Sequence, residues 1–176
     1  LGYPRRALRL HAAAVAITPD SKRMLVTKFG EHAVAVLDIE DGKLKYDPKQ
    51  DLTVGRWPYN VQISPAGDMA LVANNGMNGL PDGHVDTVSV VDMTADPPRV
   101  VDHVVVGDGP EGLAISPDGK LALVPILQGS APWFEETWFH NEAGKVVVLA
   151  IDGLDVKKVG EVPVGRFPEG VGFSKD

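Results

Sequence analysis

A chain of 176 residues with a net charge of −7 is long enough for a sizeable core and too acidic to present the basic face that nucleic acid requires. It has no cysteine, which excludes disulfides, thiolate metal centres and cysteine nucleophiles, and no apolar run approaches the roughly 18 residues of a membrane span. Nineteen glycines and 14 prolines favour turns, and with them many short strands.

Taken in chain order, the expected elements repeat. Leu1 to His11 hold material for one outer strand and little more. A short run alternating at period two then leads into Ile17-Thr18-Pro19-Asp20. Such alternation marks a strand with one buried face. The Ser/Thr-Pro-Asp-Gly text is a turn, because proline presets φ and glycine tolerates positive φ. Met24 to Thr27 reads as a second strand, Ala33 to Asp38 as a third rich in β-branched residues, and Leu52 to Val54 as a fourth.

Val54-Gly55-Arg56-Trp57-Pro58 closes the unit and the pattern restarts. The second unit has Val61 and Ile63, the turn Ile63-Ser64-Pro65-Ala66, then Met69 to Ala73, Thr87 to Asp92 and Val100 to Val106. The third has Leu113 and Ile115, the turn Ile115-Ser116-Pro117-Asp118, then Leu121 to Val124, Val146 to Asp152 and Val159 to Val164. A fourth holds only Val171 to Phe173 and Phe173-Ser174-Lys175-Asp176. Asp38, Asp92 and Asp152, at the ends of the third strands, are expected to close Asx-type turns.

Pro19, Pro65, Pro117 and Lys175 stand at equivalent points, 46, 52 and 58 residues apart. Periods of this length signal a repeat architecture. Four short antiparallel strands per unit, without helical periodicity, predict an all-β chain built of β-propeller blades. A two-sheet sandwich gives no reason for one turn text to recur once every four strands. The blades are expected at about 12–54, 58–106 and 110–164, with the start of another at 168–176. Three and a half blades cannot close a ring, and an open arc leaves two apolar blade faces wet. The chain is therefore expected to be a segment whose ring is completed by remaining blades of the same protein, or by a partner chain.

The text VGxxPxG, ISPDGKLALV and TVSVVD resembles the YVTN-type propeller repeat, over nearly the whole chain from about Ala12 to Asp176. The central tyrosine of the namesake tetrapeptide has no counterpart, since the matching places hold Leu25, Leu71 and Leu123, which keep its packing role. The resemblance implies a lactonase-like ring of seven blades and a periplasmic or extracellular setting. It carries over no catalytic residue, because no local motif matches one.

Strand direction assigns the functional face. Second-to-third loops (Phe29 to His32, Asn74 to Val85, Leu127 to Ala143) and inter-blade connections (Gly55 to Asn60, Gly107 to Gly112, Gly165 to Gly170) share one side, and that side carries most of the length variation. Its candidate ligand contacts are Arg56, Trp57, Tyr59, Asn60, Glu111, Arg166 and Glu169 on the connections, with Trp133 and Trp138 on the long insertion. Two guanidiniums near a channel mouth suit a carboxylate or phosphate; they could equally pair with Glu111, Glu169 or backbone carbonyls.

His32, His84 and His140 fall in equivalent loops and could converge on a divalent metal. Asp82, His84 and Asp86 allow either a metal or plain turn chemistry. No GxSxG elbow, HExxH pair or phosphate-cradling glycine loop is present. The expected function is a binding or scaffold propeller that presents this face to a small anionic ligand or a protein. The alternative is a lactonase-like enzyme acting on a small carboxylate or lactone.

Overall fold

The computed structural model describes residues 11–76, 80–134 and 136–175. They form three antiparallel sheets in succession. The first contains β1 (Ala12–Ile17), β2 (Arg23–Lys28), β3 (Ala33–Glu40), β4 (Lys43–Tyr46) and β5 (Leu52–Thr53), with β5 returning to β3. The second is β6 (Pro58–Ile63), β7 (Met69–Asn74), β8 (Asp86–Asp92) and β9 (Arg99–Gly107). The third is β10 (Ala114–Ile115), β11 (Leu121–Ile126), β12 (Lys145–Asp152) and β13 (Asp155–Pro163).

The recurring turn owes its text to one hydroxyl. Thr18, Ser64 and Ser116 accept the first N–H of the next strand, from Arg23 at 3.0 Å, Met69 at 3.2 Å and Leu121 at 2.9 Å. Each hydroxyl donates at 2.6 Å to a carboxylate, that of Asp20, Asp68 or Asp118. In the second unit Ala66 stands in the usual aspartate position, and Asp68, two residues on, takes the bond instead. These hydroxyls are buried, so the paired bonds satisfy groups that would otherwise be costly to desolvate.

Alternation along the central strands splits the core in two. Leu25, Val34 and Val36 of the first sheet pack with Val61, Ala70, Val72 and Val91 of the second. Met69, Leu71, Val88 and Val90 leave the opposite side of the second sheet to meet Ala122, Val124, Ile126, Val147 and Leu149 of the third. The middle sheet is thus apolar on both faces. The outer sheets each keep one face uncovered. On the first, Ile17, Met24, Leu37 and Tyr46 form a cross-strand row, and Val15, Val26 and Ala35 form another. Val15 is 56% exposed, Ile17 50% and Tyr46 45%, and the same face holds an apolar hollow of 190 Å³. The less covered face of the third carries Leu123 beside Val148, both half-buried.

Three expectations are corrected. The outer strand of the first unit has two parts, because Lys43–Tyr46 pairs with β3 before a 3-10 turn at Pro48–Gln50, capped by Asp47, brings Leu52 back. Lys43–Tyr46 is exposed on both sides and so shows no buried periodicity. Asp38 closes no turn: β3 continues to Glu40, the reversal uses Asp41 and Gly42 at φ 50° and 71°, and Asp38 pairs with Arg23. Asp92 does cap its turn, accepting from the N–H and hydroxyl of Thr94 and the N–H of Ala95. Residues 168–175 form no strand, since a strand requires a ladder partner and none of the described residues supplies one there.

Candidate functional site

The loop face is assembled by one device used repeatedly. The residue after each second strand reaches back to a connection: Asn75 N–H donates to the Trp57 carbonyl at 2.8 Å, and Leu127 N–H to that of Gly109 at 3.0 Å. Gly76 and Gln128 add parallel bonds to the carbonyls of Arg56 and Asp108. The strapped residues lie in the left-handed region, Trp57 at φ 53° and Gly109 at 72°, and so does Phe167 at the equivalent place, at 53°. Two aromatics in a conformation that favours glycine are held by their surroundings. Trp57 packs at a tilt on Phe29 and edge-on against His32, and its backbone N–H donates to His32 Nδ1 at 3.1 Å. Phe167 lies 4.6 Å from Trp133, and its N–H donates to Ser130 Oγ at 3.0 Å.

The next-but-one position after each strapped residue is Tyr59, Glu111 or Glu169. These three groups sense one another electrostatically. Glu111 is 7% exposed. Its Oε1 lies 3.4 Å from Asn75 Nδ2, while its Oε2 is buried without a hydrogen-bond partner. Burial, and then the charge of Glu169, push the Glu111 carboxyl up to about 7, against the pull of the Asn75 hydrogen bond. Burial, Glu111 and Glu169 together raise the Tyr59 phenol.

Two further carboxyls sit beside it. Asp108 Oδ2 accepts from Gly83 N–H at 2.6 Å and Asp82 N–H at 3.1 Å, and Asp86 Oδ2 accepts from Gly109 N–H at 2.9 Å. Burial pushes both up to about 6. They fasten the loop after β7 to the connection before β10. The following stretch docks as closely: a Cβ added to Gly112 would overlap the Glu169 carbonyl oxygen and press on Pro125. Gly112→Ala is therefore expected to dislodge residues 168–172 and to change the Glu169 amide signal in an NMR spectrum, while the three sheets keep their circular dichroism.

Comparison with solved structures gives the frame for this face. A Bacteroides uniformis protein described as a candidate 6-phosphogluconolactonase superposes with a TM-score of 0.69 at 16% identity, over 96% of this chain and 46% of that one. A Bacteroides fragilis protein with the same description gives 0.69 at 20%, over 94% and 46%. Hydrazine synthase of Kuenenia stuttgartiensis gives 0.65 at 24%, over 86% and 37%. The three sheets have the fold of blades in a lactonase-like β-propeller. Identities this low establish the fold alone, and the chain spans less than half the length of each of these neighbours. No family model and no curated protein matches the sequence.

With the sheets placed as blades, the sequence candidates sort themselves. Tyr59, Glu111 and Glu169 occupy equivalent positions on the three connections and influence one another electrostatically. Arg166 forms an ion pair with Glu142, whose other oxygen is 3.6 Å from His140 Nε2. Arg56 acts on Asp86, lowering its proton affinity. Asn60 keeps a buried, unpartnered Oδ1 in β6. Trp133 and Trp138 are 65% and 80% exposed, on an insertion whose Trp138 and Phe139 lie against Gly83 and Gly129.

The three loop histidines do not meet: His32 accepts from Trp57, His140 faces Glu142, and His84 is exposed in the Asp82 turn. Among the described residues no group of three His, Asp or Glu could hold a metal ion. Loops of unequal length carry equivalent positions to different places. A cavity of 560 Å³ on the opposite, short-turn side is lined by Asp20, Arg23 and Asp38, whose charges are engaged with their own neighbours.

Sequence reasoning missed Asn75. It occupies the place of Leu127 in the strap, and an amide where the third unit has an apolar residue is the signal in the sequence.

Proposed function

We propose that this chain supplies the ligand-handling mouth of a larger propeller, that further blades cover its two uncovered faces, and that Glu111 is the group that holds and moves a proton there. The observation that carries the reading is Glu111 itself: buried, with an orphan Oε2, at the position that Tyr59 and Glu169 hold in the neighbouring connections. A carboxyl near 7 both takes and gives a proton at neutral pH, the condition for general acid–base work. A binding mouth for a small polar molecule is the function this supports best.

A second reading, turnover of a lactone, is favoured by the same carboxyl. Opening a lactone needs a base to take the proton of the attacking water, and Glu111 in its ionised form suits that role. The neighbours' descriptions as candidate lactonases agree with it in fold.

Carboxyl ¹³C spectra, with Glu111→Gln to assign the resonance, are expected to show Glu111 titrating near 7. A midpoint in the ordinary glutamate range would remove the proposal. Hydrolysis of small lactones that disappears in Glu111→Gln would establish the second reading, and intact hydrolysis in that variant would end it.

A further inference from the structure

We infer that the group received at this mouth is an organic ammonium, seated between Glu111 and Glu169. The inference rests on the reading of Glu111 as the working group and names the class of its ligand. The groups that act on Glu111 are Glu169 from the terminal segment and Asn75 after β7, and Tyr59 of β6 feels both carboxyls. Of the charges acting on Glu111, the one that matters is negative. Among the described residues the donor offered to it is the neutral amide of Asn75, and that bond goes to Oε1. Oε2 is left buried and without a donor. A buried carboxylate oxygen in this state lacks an N–H, and two neighbouring carboxyls lack a positive charge. An ammonium supplies both at once.

The surroundings favour the same class. The ring of Tyr59, 37% exposed, stands at the third equivalent position, and an aromatic ring is the apolar neighbour that a cation tolerates best. Glu169 is exposed beside it and gives the approach. Asp86 and Asp108 extend the negative field along the same side. Arg166, a cation of the neighbouring connection, is drawn to Glu142 on the insertion. A phosphate or carboxylate arriving here meets like charge, which selects against it. The small anionic ligand expected from Arg56 and Arg166 is thus disfavoured on the mouth these residues build.

Three probes of equal length separate the classes: 1,4-diaminobutane, 1,4-butanediol and succinate, tested at pH 8 and low salt, where Glu111 is ionised. The diamine is expected to raise the melting temperature and to move the Glu111 and Glu169 carboxyl resonances, and the diol and succinate to do neither. Glu111→Gln and Glu169→Gln should each weaken diamine binding by about tenfold or more. Both replacements keep the side-chain shape, and unchanged circular dichroism would confirm that the variants fold. No response to the diamine, an equal response in both variants, or tighter binding of succinate would overturn the inference. Glu111 titrating near 7 without a diamine response would overturn the ammonium alone and leave the proton-holding role standing. A diamine response that requires Glu111 would uphold the ammonium even if that carboxyl titrated in the ordinary range.

Discussion

The melting temperature is expected to be highest near pH 5 and to fall steadily toward pH 8. Asp86 and Asp108 are pushed up to about 6 in the folded protein and Glu111 to about 7, each mainly by burial. Between the unfolded and the folded values the native state binds more protons than the unfolded state, so stability decreases as pH rises through that window. The contribution is fully present below the unfolded values and gone above about 7. On the acid side the sign reverses. Asp20 and Asp118, held low by hydroxyl hydrogen bonds, and Glu161, held to about 2 by Lys158 and Lys145, lose their contribution as pH falls through their folded values. The optimum lies between the two sets.

Each pKa unit corresponds to about 1.4 kcal/mol, so Glu111 alone accounts for roughly 2–3 kcal/mol between pH 5 and pH 8. Glu111→Gln should therefore stabilise the protein at pH 8 by that amount, raising the melting temperature by roughly 5–10 °C, and change little at pH 5. Thermal scans at four pH values decide it. A melting temperature that climbs from pH 5 to pH 8 would show that Glu111 is not desolvated as described.

Leu71→Ala is expected to cost about 2–5 kcal/mol, and Leu123→Ala well under half of that in the isolated chain. The two leucines occupy the same repeat position. Leu71 is fully buried between the second and third blades, whereas Leu123 lies on the uncovered face of the third. A truncation costs most where neighbours cannot collapse into the gap, and a side chain at a wet face leaves no enclosed gap. When further blades cover that face, Leu123→Ala should rise to the cost of Leu71→Ala. Denaturant midpoints of both variants, in this chain and in the proposed ring with further blades, measure the difference. Equal costs in the isolated chain would mean that the third blade's outer face is already covered, and the reading of two uncovered faces would fail.

Much of this architecture is legible in the sequence because it is written by strong local rules. The hydroxyl–proline–aspartate turn is fixed by two hydrogen bonds to one oxygen, so Thr18, Ser64 and Ser116 mark the blades without ambiguity. Leu25 and Leu71 mark the packed faces for the same reason. Elements with no buried side, such as Lys43–Tyr46, leave no periodic trace.

The site is legible only in part. Glu111 and Glu169 stand out as a repeated acid after Val-Gly-x-x-Pro, but the unpaired state of Glu111 Oε2 depends on what Asn75 does 36 residues away. The Arg166–Glu142 pair crosses from a connection to an insertion, and no pattern in the chain announces it. Histidines in equivalent loops suggested convergence, yet equivalence holds for strands and ends where loop lengths differ.

The cross-strand rows have a consequence for how such a molecule changes over time. Because Leu71 presents to its successor what Leu25 presents to its own, every joint is made of interchangeable parts, and one whole unit can be copied in or dropped out without new complementarity being devised. The loops and connections lie away from these joints, so their length and chemistry can change while the mechanical frame stays the same.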